Sequence, residues 1–357
     1  MALTVQENVR LADFTTLKIG GNARFFVRAQ SEDETVEALK FAIKSDLKIF
    51  ILGGGSNVLI SDNGFDGLVL QVAWKGISTA FGKDDTVFVM AQAGEDWDAF
   101  CEFCVEKNLQ GVECLSGIPG FTGGTPVQNV GAYGQEVAET IVAVKVLERA
   151  SGRIFEMTNA DCRFAYRTSI FNTTEKNRFI VLSVTFALKK DAAPKIIYKD
   201  LRDFFGGKKS NLRKTREAVL QIRRAKSMVI DERDPNSRSA GSFFKNPIVT
   251  EEEFAEIEAK AKRIGVVEPS ENLPNFTVDE KHLKIPAAWL IEKSGFQKGF
   301  RFGRVGLSSN HTLAIVNFGC ATANDILALK NEIQKKVRDK FNIELQPEPI
   351  FVGFKES

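Results

Sequence analysis

The sequence predicts an α+β protein of two or three domains. Predicted strands recur between predicted helices, the 357 residues exceed what one core usually holds, and the composition (43% hydrophobic, 26% charged) is that of a folded globular protein. The formal net charge of +2 predicts no bulk attraction to nucleic acid. No apolar run approaches the roughly 20 residues that span a bilayer, and the N-terminal residues lack a signal-peptide pattern. We therefore expect a cytoplasmic protein without membrane insertion.

The first predicted elements form an α/β unit over residues 15–72. Ser31 and Glu34 have the spacing of a capping box that opens a helix through Ser45. The apolar stripe of this helix is predicted at Val36, Leu39 and Ile43, and the flanking strands at 24–28, 48–52 and 58–60.

The segment GGGSN at residues 53–57 raises the question of a phosphate-binding loop. A Walker loop is excluded because no GxxxxGK[ST] string is present. A Rossmann fingerprint fails because Val58 stands where a third glycine is needed and a strand, not a helix, follows. The remaining interpretation is a tight strand–loop–strand turn that exposes main-chain N–H groups, with Ser56 and Asn57 as additional donors.

The middle of the chain continues the mixed pattern. We predict a strand at 87–94, a helix at 95–108, a hairpin of 140–149 with 153–157, a strand at 178–189 and a helix at 211–226.

The segment GVECLSGIPGFTGGTPVQNVGAYG, residues 111–134, contains seven glycines and two prolines. Glycine allows positive φ angles and a close approach of other atoms to the main chain. Loops of this length are usually functional or disordered, and the apolar residues of this one argue against disorder. We predict an ordered loop whose N–H groups surround an anionic or polar cofactor; the alternative is a surface connection with many turns.

A basic run accompanies the helix at 211–226. It contains Lys208, Lys209, Arg213, Lys214, Arg216, Arg223, Arg224 and Lys226, opposed only by Glu217. Such a run is usually a solvated helix face. The functional alternative is a positive wall for a phosphate-bearing ligand.

The C-terminal part is predicted to form a further domain. Thr250 and Glu253 cap a helix that ends at Gly265, Pro286 opens a helix that ends at Gly295, residues 304–318 are extended, and 323–341 form an amphipathic helix. Glu348 stands between two prolines, which restrict φ and hold its carboxylate rigidly.

Cysteine and histidine predict little site chemistry. The five scattered cysteines are expected to be free thiols, with Cys101 and Cys104 packed on one helix face; a metal or redox pair is the alternative. The two histidines, His282 and His311, are too few for a metal cluster, and the local sequence places neither beside a nucleophile. We predict no metal site, and no local pattern suggests a catalytic triad.

Five motifs occur in a characteristic order over residues 13–353. They are GGGSNVLI, IPGFTGGTPVQNVGAYG, CRFAYRTSIF, GSFFKNP and LQPEPIFVG. Together they resemble the UDP-N-acetylenolpyruvoylglucosamine reductase family, flavoenzymes of bacterial cell-wall precursor synthesis. Tyr198 in IIYKDL resembles the subclass with an additional substrate-covering loop.

The resemblance implies a two-lobed FAD-binding module of the vanillyl-alcohol-oxidase (PCMH) type and a C-terminal α+β substrate domain. The implied boundaries are 1–72 for the first lobe with a returning strand in 343–357, 73–225 for the second lobe, and 226–342 for the substrate domain. FAD would be bound non-covalently, since no histidine precedes His282 to form the linkage found in some relatives of the fold.

The implied cofactor residues lie in the two glycine-rich segments. They are Gly53, Gly54, Gly55, Ser56, Asn57, Gly117, Ile118, Pro119, Gly120, Gly123, Gly124, Gln128, Asn129, Gly131, Ala132, Tyr133 and Gly134. The resemblance further implies NADPH as co-substrate, a UDP-sugar as substrate and a monomer that acts in peptidoglycan synthesis and hence in cell shape and division.

The implied catalytic residues are Arg167, Ser242 and Glu348. Arg167 would stabilise charge on the substrate carboxylate, a protonated Glu348 would donate a hydrogen bond, and Ser242 would donate the proton to carbon. Substrate binding is assigned to Tyr166, Tyr198, Arg223, Lys226 and Asn246.

Two other functions compete with this one. A flavin or nucleotide sensor could keep the fold without the reaction, although all three catalytic residue types are present. A nucleic-acid-binding protein could use the basic helix, and it would bind DNA or RNA with a steep salt dependence.

Overall fold

The computed structural model describes residues 3–354, and the chain divides into two compact units. The first unit comprises the residues up to Phe14, Asn22–Ser56 and Gly64–Val229; the second comprises Thr15–Gly21, Asn57–Asn63 and the residues from Ile230 onward. The finer boundaries given above for two lobes, a substrate domain and a returning strand stay a prediction. Residues 1, 2 and 355–357 of that division lie outside the described residues.

A four-stranded sheet opens the first unit. Its strand order is Gln6–Arg10, Asn22–Ala29, Phe65–Val72, Ile49–Leu52. The first two strands are antiparallel, and the other neighbours are parallel. Parallel neighbours need a crossover connection, and the helix Glu32–Lys44 supplies it.

The helix Glu32–Lys44 departs from its predicted details. The Ser31 side chain accepts a hydrogen bond from the Glu34 N–H as expected, but the Glu34 carboxylate accepts from the Gln30 N–H rather than closing the box on Ser31. The predicted stripe is wrong at Ile43, which is 61% exposed. The buried residues of the helix are Thr35, Ala38, Leu39 and Ala42.

The second sheet of the first unit is antiparallel. Its path is Ile154–Thr158, Ile141–Glu148, Phe179–Lys190, Thr86–Gln92, Ile77–Phe81, with Leu109–Gln110 also paired to Phe179–Lys190. The predicted hairpin is confirmed. Alternate side chains of the long central strand point into the core, because successive residues of a strand face opposite sides; these are Ile180, Leu182, Val184, Phe186 and Leu188.

From residue 3 onward, the first unit also contains three further α-helices, Trp97–Glu106, Lys199–Phe205 and Leu212–Ala225, and a single helical turn at Asn159–Cys162. The packing interpretation of Cys101 and Cys104 is confirmed, since both are free, buried thiols. Burial raises the pKa of each thiol well above its ordinary value, which disfavours the reactive thiolate.

As far as residue 354, the second unit contains three helices and short strands. The helices are Glu251–Arg263, Ala287–Lys293 and Ala323–Phe341, all close to prediction. Thr250 and Glu253 form a complete capping box. The strands pair as Ile248–Thr250 and Phe276–Thr277 with His282–Lys284, as Arg301–Phe302, Val305–Leu307 and Ile315–Asn317 in sequence, and as Val58–Ile60 parallel to Ile350–Val352.

The core of the second unit forms around the long helix Ala323–Phe341. Its stripe residues are fully buried, as the helical spacing predicts: Ile326, Leu329, Ile333 and Val337. Phe243 and Phe244 of the GSFFKNP segment are buried in the same core. The segment that carries Ser242 is thereby anchored by two large side chains.

Short elements occur in the connections. The 3₁₀ helices are Leu11–Phe14, Glu113–Leu115, Thr122–Gly124, Val137–Glu139, Ile170–Asn172 and Pro235–Ser237, and Gly131–Ala132 pairs with Gln135–Glu136. Among residues 3–354, no helix is both long and apolar enough to cross a membrane. The same residues contain no group of three or more His, Cys, Asp or Glu side chains that could hold a metal ion.

Candidate active site

The two glycine-rich segments touch each other in the first unit. The Ser56 Oγ–H donates a hydrogen bond of 2.7 Å to the carbonyl oxygen of Pro119. A Cβ added to Gly54 would lie 2.6 Å from the Cα of Gly120, so that only glycine fits at this crossing. The two segments are predicted to hold the same cofactor, and the structure places them in contact.

The exposed main chain of the first turn fits an anionic cofactor. Within the described residues, the N–H groups of Gly53, Gly54, Gly55 and Ser56 donate no hydrogen bond to protein. Gly53 has neither a positive φ nor any described protein atom within 4 Å of an added Cβ, and the same holds for Gly124. The protein's own packing does not require glycine at these two positions, whereas a ligand lying against the main chain would.

The loop that begins at Gly117 is anchored by Asp98. The Gly117 N–H donates a 2.6 Å hydrogen bond to Asp98 Oδ1, and Arg216 donates to both oxygens of the same carboxylate. Burial alone would raise the pKa of Asp98, but the hydrogen bonds from Arg216 and Gly117 outweigh it and hold the pKa below its ordinary value. One carboxylate therefore joins the helices Trp97–Glu106 and Leu212–Ala225 to the loop.

Further main-chain bonds order this loop against the second sheet. The Trp97 N–H donates to the Gly120 carbonyl at 3.0 Å, and the Gly123 N–H donates to the Ala93 carbonyl at 2.9 Å. A Cβ on Gly123 would lie 2.6 Å from that of Ala93. The prediction of an ordered loop is confirmed, and a loosely held surface connection is not what the structure contains.

Asn129 is buried at the far end of the loop. Its amide nitrogen donates to Glu136 at 2.8 Å and to the Ala165 carbonyl at 3.0 Å, and its oxygen accepts from the Ala138 N–H. The cofactor role predicted for Asn129 stays a prediction. Its hydrogen bond to the Ala165 carbonyl connects the loop to the segment that carries Arg167.

Arg167 lies against the same loop. Its Nη2 donates a 2.7 Å hydrogen bond to the Gly131 carbonyl, and its guanidinium lies 5.3 Å from the centroid of the Tyr166 ring. A Cβ on Gly131 would lie 2.7 Å from Glu136 Cγ and 3.1 Å from Arg167 Nη1, so glycine leaves room for both side chains. The predicted catalytic arginine and the predicted substrate tyrosine are thus adjacent to the predicted cofactor loop.

Tyr133, Tyr198 and Lys226 form a cluster in the first unit. The two tyrosine rings are edge-on at 5.6 Å, and the Lys226 ammonium lies 5.9 Å from the Tyr133 centroid. Lys226 Nζ also donates to Asp200 at 2.6 Å. Burial raises the pKa of both phenols, so both remain protonated donors at neutral pH.

Asp200 is a part of this cluster that sequence reasoning missed. It lies two residues after Tyr198 and on a different element from Lys226. The segment is also in contact with the glycine-rich loop, because a Cβ on Gly134 would lie 2.7 Å from Ile197 Cγ1. The only sequence signal for this contact was an acidic residue, Asp200, two positions after the predicted substrate residue Tyr198.

Arg223 is a buried cation beside the loop. Only 7% of it is exposed, and its Nη2 donates to the Met228 carbonyl at 2.7 Å. Its Nε has no hydrogen-bond partner among the described residues and would lie 3.3 Å from a Cβ on Gly117. Burial lowers the pKa of Arg223, and an unsatisfied buried donor is unfavourable unless a ligand pairs with it.

The basic helix is exposed on one face and buried on the other. Arg216 and Arg223 are buried and point toward the loop, whereas Arg213, Lys214 and Arg224 are exposed. The exposed residues form a solvated face, as predicted. The functional alternative, a positive wall for a phosphate-bearing ligand, stays a prediction.

Ser242 and Glu348 are joined through the main chain in the second unit. The Glu348 N–H donates to the Phe243 carbonyl at 2.9 Å, and the Lys245 N–H donates to the Gln346 carbonyl at 2.9 Å. The Asn57 side chain donates to the Glu348 carbonyl oxygen at 3.3 Å. The structure thus holds two predicted catalytic residues on neighbouring extended segments.

Asn246 has a structural contact in the same unit. Its Oδ1 accepts a 2.9 Å hydrogen bond from the Ala287 N–H, at the start of the helix Ala287–Lys293. This satisfies one of the N–H groups that lack a partner within the helix. The substrate role predicted for Asn246 stays a prediction.

His311 has a side-chain contact that no local sequence pattern suggested. The local sequence places no nucleophile near it, yet His311 Nε2 lies 3.3 Å from Ser242 Oγ. The two residues are 69 positions apart, so no local pattern could have found the contact.

Comparisons with known proteins identify both parts of the chain. A family model described as "FAD binding domain" matches residues 23–158, and one described as "UDP-N-acetylenolpyruvoylglucosamine reductase, C-terminal domain" matches residues 234–352. Relatives named UDP-N-acetylenolpyruvoylglucosamine reductase include that of Thermobifida fusca, 43% identical with 99% of each chain covered. That of Streptomyces coelicolor is 43% identical, with 96% of this chain and 89% of the relative covered.

A solved structure supports the fold. The UDP-N-acetylenolpyruvylglucosamine reductase of Thermus caldophilus superimposes with a TM-score of 0.65 at 24% identity and covers 98% of this chain and 100% of its own. The predicted fold class, an α+β protein with an FAD-binding module and a C-terminal domain, is confirmed.

Proposed function

The chain belongs to the UDP-N-acetylenolpyruvoylglucosamine reductase family, and from this we propose that it reduces the enolpyruvyl ether of UDP-N-acetylglucosamine enolpyruvate to UDP-N-acetylmuramate. It is an FAD-dependent oxidoreductase, and NADPH is the proposed electron donor. The observation that carries the proposal is the match to named reductases over nearly the entire chain. The reaction belongs to peptidoglycan precursor synthesis.

FAD, when bound, supplies a carrier that takes hydride from NADPH and passes it to the enolpyruvyl double bond. The residues that fit it are the open main chain of Gly53, Gly54, Gly55 and Ser56 and the loop from Gly117 to Gly134. N–H groups without protein partners suit the diphosphate of the cofactor.

Arg167 is proposed to stabilise the charge that develops on the substrate. Hydride addition at C3 leaves negative charge at C2, which spreads into the adjacent carboxylate. A guanidinium binds a carboxylate through two parallel hydrogen bonds. The bond from Arg167 to the Gly131 carbonyl fixes the guanidinium in advance, and preorganised donors are worth several kcal/mol in a dry site.

Glu348 is proposed to act at the same charged group as a neutral donor. Its backbone is held on one side by the Phe243 carbonyl and on the other by the Asn57 side chain. With Pro347 and Pro349 as neighbours, little conformational freedom remains to this residue.

Ser242 is proposed to protonate C2. A serine hydroxyl is a very weak acid, but a carbanion-like carbon is basic enough to take its proton once the geometry is fixed. Burial of the next two side chains, Phe243 and Phe244, supplies that fixation.

Lys226, Tyr198 and Arg223 are proposed to bind the UDP portion of the substrate, with Tyr166 and Asn246 as further contacts. A lysine and a buried arginine suit a diphosphate, and phenols that stay protonated donate to its oxygens. The bond between Lys226 and Asp200 would have to exchange when the diphosphate arrives.

The proposed setting is a cytoplasmic monomer acting on small molecules. Nucleic-acid binding is not favoured, because two of the cations on the basic helix are buried and one of these, Arg216, is paired with Asp98.

A product analysis tests the proposal. The purified protein is incubated with UDP-N-acetylglucosamine enolpyruvate and NADPH, and the products are analysed by mass spectrometry. We expect one NADPH oxidised for each UDP-N-acetylmuramate formed. If the protein binds FAD and reacts with NADPH but leaves the enolpyruvyl substrate unchanged, the proposal is wrong and the protein is a flavin or nucleotide sensor.

A further inference from the structure

Ser242 has a side-chain neighbour that the proposed chemistry leaves without a role. His311 Nε2 lies 3.3 Å from Ser242 Oγ, within the second unit. Both side chains are half-buried, and they come from segments that are distant in the sequence. The contact is a candidate for controlling the one proton that the reaction must deliver to carbon.

The backbone on both sides of the contact is fixed. The Phe243 N–H donates to the Leu313 carbonyl at 2.8 Å, which ties the residue after Ser242 to the turn that carries His311. Within that turn, the Ala314 N–H donates to the His311 carbonyl at 3.1 Å. The short distance between the two side chains therefore follows from the main-chain arrangement.

The turn is also attached on its other side. The Ser309 N–H donates to Asn236 Oδ1 at 3.0 Å, and the Asn310 N–H donates to Ser308 Oγ at 3.1 Å. Thr312 is buried and bonded to Glu292. The hydrogen bonds of Ser309 and Thr312, on either side of His311, hold the turn beside the serine without dependence on the substrate.

We infer that His311 is a positioning residue for Ser242, whose Nε2–H donates a hydrogen bond to Ser242 Oγ. The inference rests on the proposed function. A serine oxygen has one hydrogen and two lone pairs. If Nε2 were the acceptor, the hydroxyl hydrogen would point at the imidazole; with Nε2–H as donor, that hydrogen is left to point at the substrate carbon.

The same hydrogen bond stabilises the product of the transfer. The O–H bond of Ser242 breaks, the electron pair at C2 forms the new C–H bond, and the serine oxygen is left as an alkoxide. The Nε2–H group donates a hydrogen bond to that alkoxide until the alkoxide takes a proton from water. A preorganised donor at a developing oxyanion is worth on the order of 10²-fold in rate.

Substitution of the histidine tests the inference. His311→Leu removes the donor, and His311→Gln keeps an N–H group at a similar distance from the backbone. We expect His311→Leu to slow oxidation of the reduced protein by the enolpyruvyl substrate on the order of 10²-fold. Reduction by NADPH and FAD content should be unchanged, and His311→Gln should keep most of the rate. His282→Leu, which replaces the other histidine, is the matched control.

Two readouts separate positioning from a structural role. In a Ser242→Ala background, His311→Leu should cause no further loss, because the histidine acts only through the serine. The ring-nitrogen NMR signals of isotope-labelled histidine come from two residues only. Ser242→Ala should shift the signal of His311 and leave that of His282 in place.

The inference fails if His311→Leu reoxidises at the wild-type rate, if it loses both half-reactions equally, or if Ser242→Ala leaves the His311 signal unchanged. These outcomes differ from failure of the proposed function, in which the wild-type protein itself would not be reoxidised by the enolpyruvyl substrate.

Discussion

Several residues of the candidate site adopt a left-handed backbone conformation without being glycine. Asn129, Tyr133 and Arg167 have φ angles of 45°, 49° and 55°. Such angles are uncommon for residues with a Cβ and are kept only where the surroundings hold them. The bonds of Asn129 and Arg167 to the neighbouring main chain supply that hold. At the scale of the residue, the site is built from conformations that cost stability and place particular side chains.

Ser242→Ala tests the proposed proton donor. We expect reduction by NADPH to remain nearly intact, because the serine is not needed there. Oxidation by the enolpyruvyl substrate should fall by several orders of magnitude, roughly 10²–10⁴-fold for loss of a general acid. Stopped-flow measurement of the two half-reactions gives both rates. Equal loss in both would count against the assigned role.

Lys226→Ala tests the proposed diphosphate contact. A hydrogen bond to a charged group is worth about 1.5–3 kcal/mol, so we expect KM for the UDP-sugar to rise roughly 10- to 100-fold with little change in the rate at saturation. Lys209→Ala, an exposed member of the same basic run, should leave KM unchanged. An unaltered KM in Lys226→Ala would remove this lysine from the substrate site.

At the scale of the element, local sequence patterns predicted what local forces determine. The helix Ala323–Phe341 was predictable because the four residues of its predicted stripe repeat at helical spacing, and the structure buries all four: Ile326, Leu329, Ile333 and Val337. The helix Glu32–Lys44 was predicted, but Ile43 is exposed, because the position of the neighbouring sheet decides which edge of the stripe is covered. Contacts between distant segments, such as Lys226 with Asp200 and Ser242 with His311, depend on tertiary packing that no local pattern encodes.

The two glycines of the first turn should respond differently to alanine. Gly54→Ala places a Cβ 2.6 Å from the Gly120 main chain, and overpacking of this kind costs about 1–3 kcal/mol. Gly53→Ala meets no described protein atom within 4 Å. We expect Gly54→Ala to lower the melting temperature of the FAD-free protein, and Gly53→Ala to leave it unchanged while weakening FAD binding.

Thermal melts and flavin titrations separate the two effects. If Gly53→Ala bound FAD with wild-type affinity, the assignment of this turn to the cofactor would be wrong.

Asp98→Asn tests the anchor of the glycine-rich loop through pH. The folded-state pKa of Asp98 lies below its unfolded value of about 3.9, so its contribution to stability is present above that value and is lost as pH falls through the folded pKa. We expect Asp98→Asn to be less stable than the wild type at neutral pH. The difference should narrow as the pH is lowered below about 4.

Urea unfolding at a series of pH values measures this difference. A gap that stays constant down to the most acidic pH would show that the carboxylate charge does not anchor the loop. Glu102, which is exposed and more loosely paired with the same Arg216, offers a matched control as Glu102→Gln.

At the scale of the whole molecule, two units carry separate parts of the proposed chemistry. The first contains residues 53–56 and the segment 111–134, and it holds most of the residues 23–158 that match the family model for FAD binding. The second contains Ser242 and Glu348, and the reductase-specific model falls within its range. The order of the motifs along the chain predicted an FAD-binding part followed by a substrate-binding part. The two family models match the chain in that order.

The most direct test follows the visible flavin absorbance of the purified protein through one cycle. We predict that the protein is yellow, that it bleaches when NADPH is added without oxygen, and that the colour returns when UDP-N-acetylglucosamine enolpyruvate is added. A colourless protein that takes up no FAD, or a bleached protein that this substrate cannot reoxidise, would contradict the account.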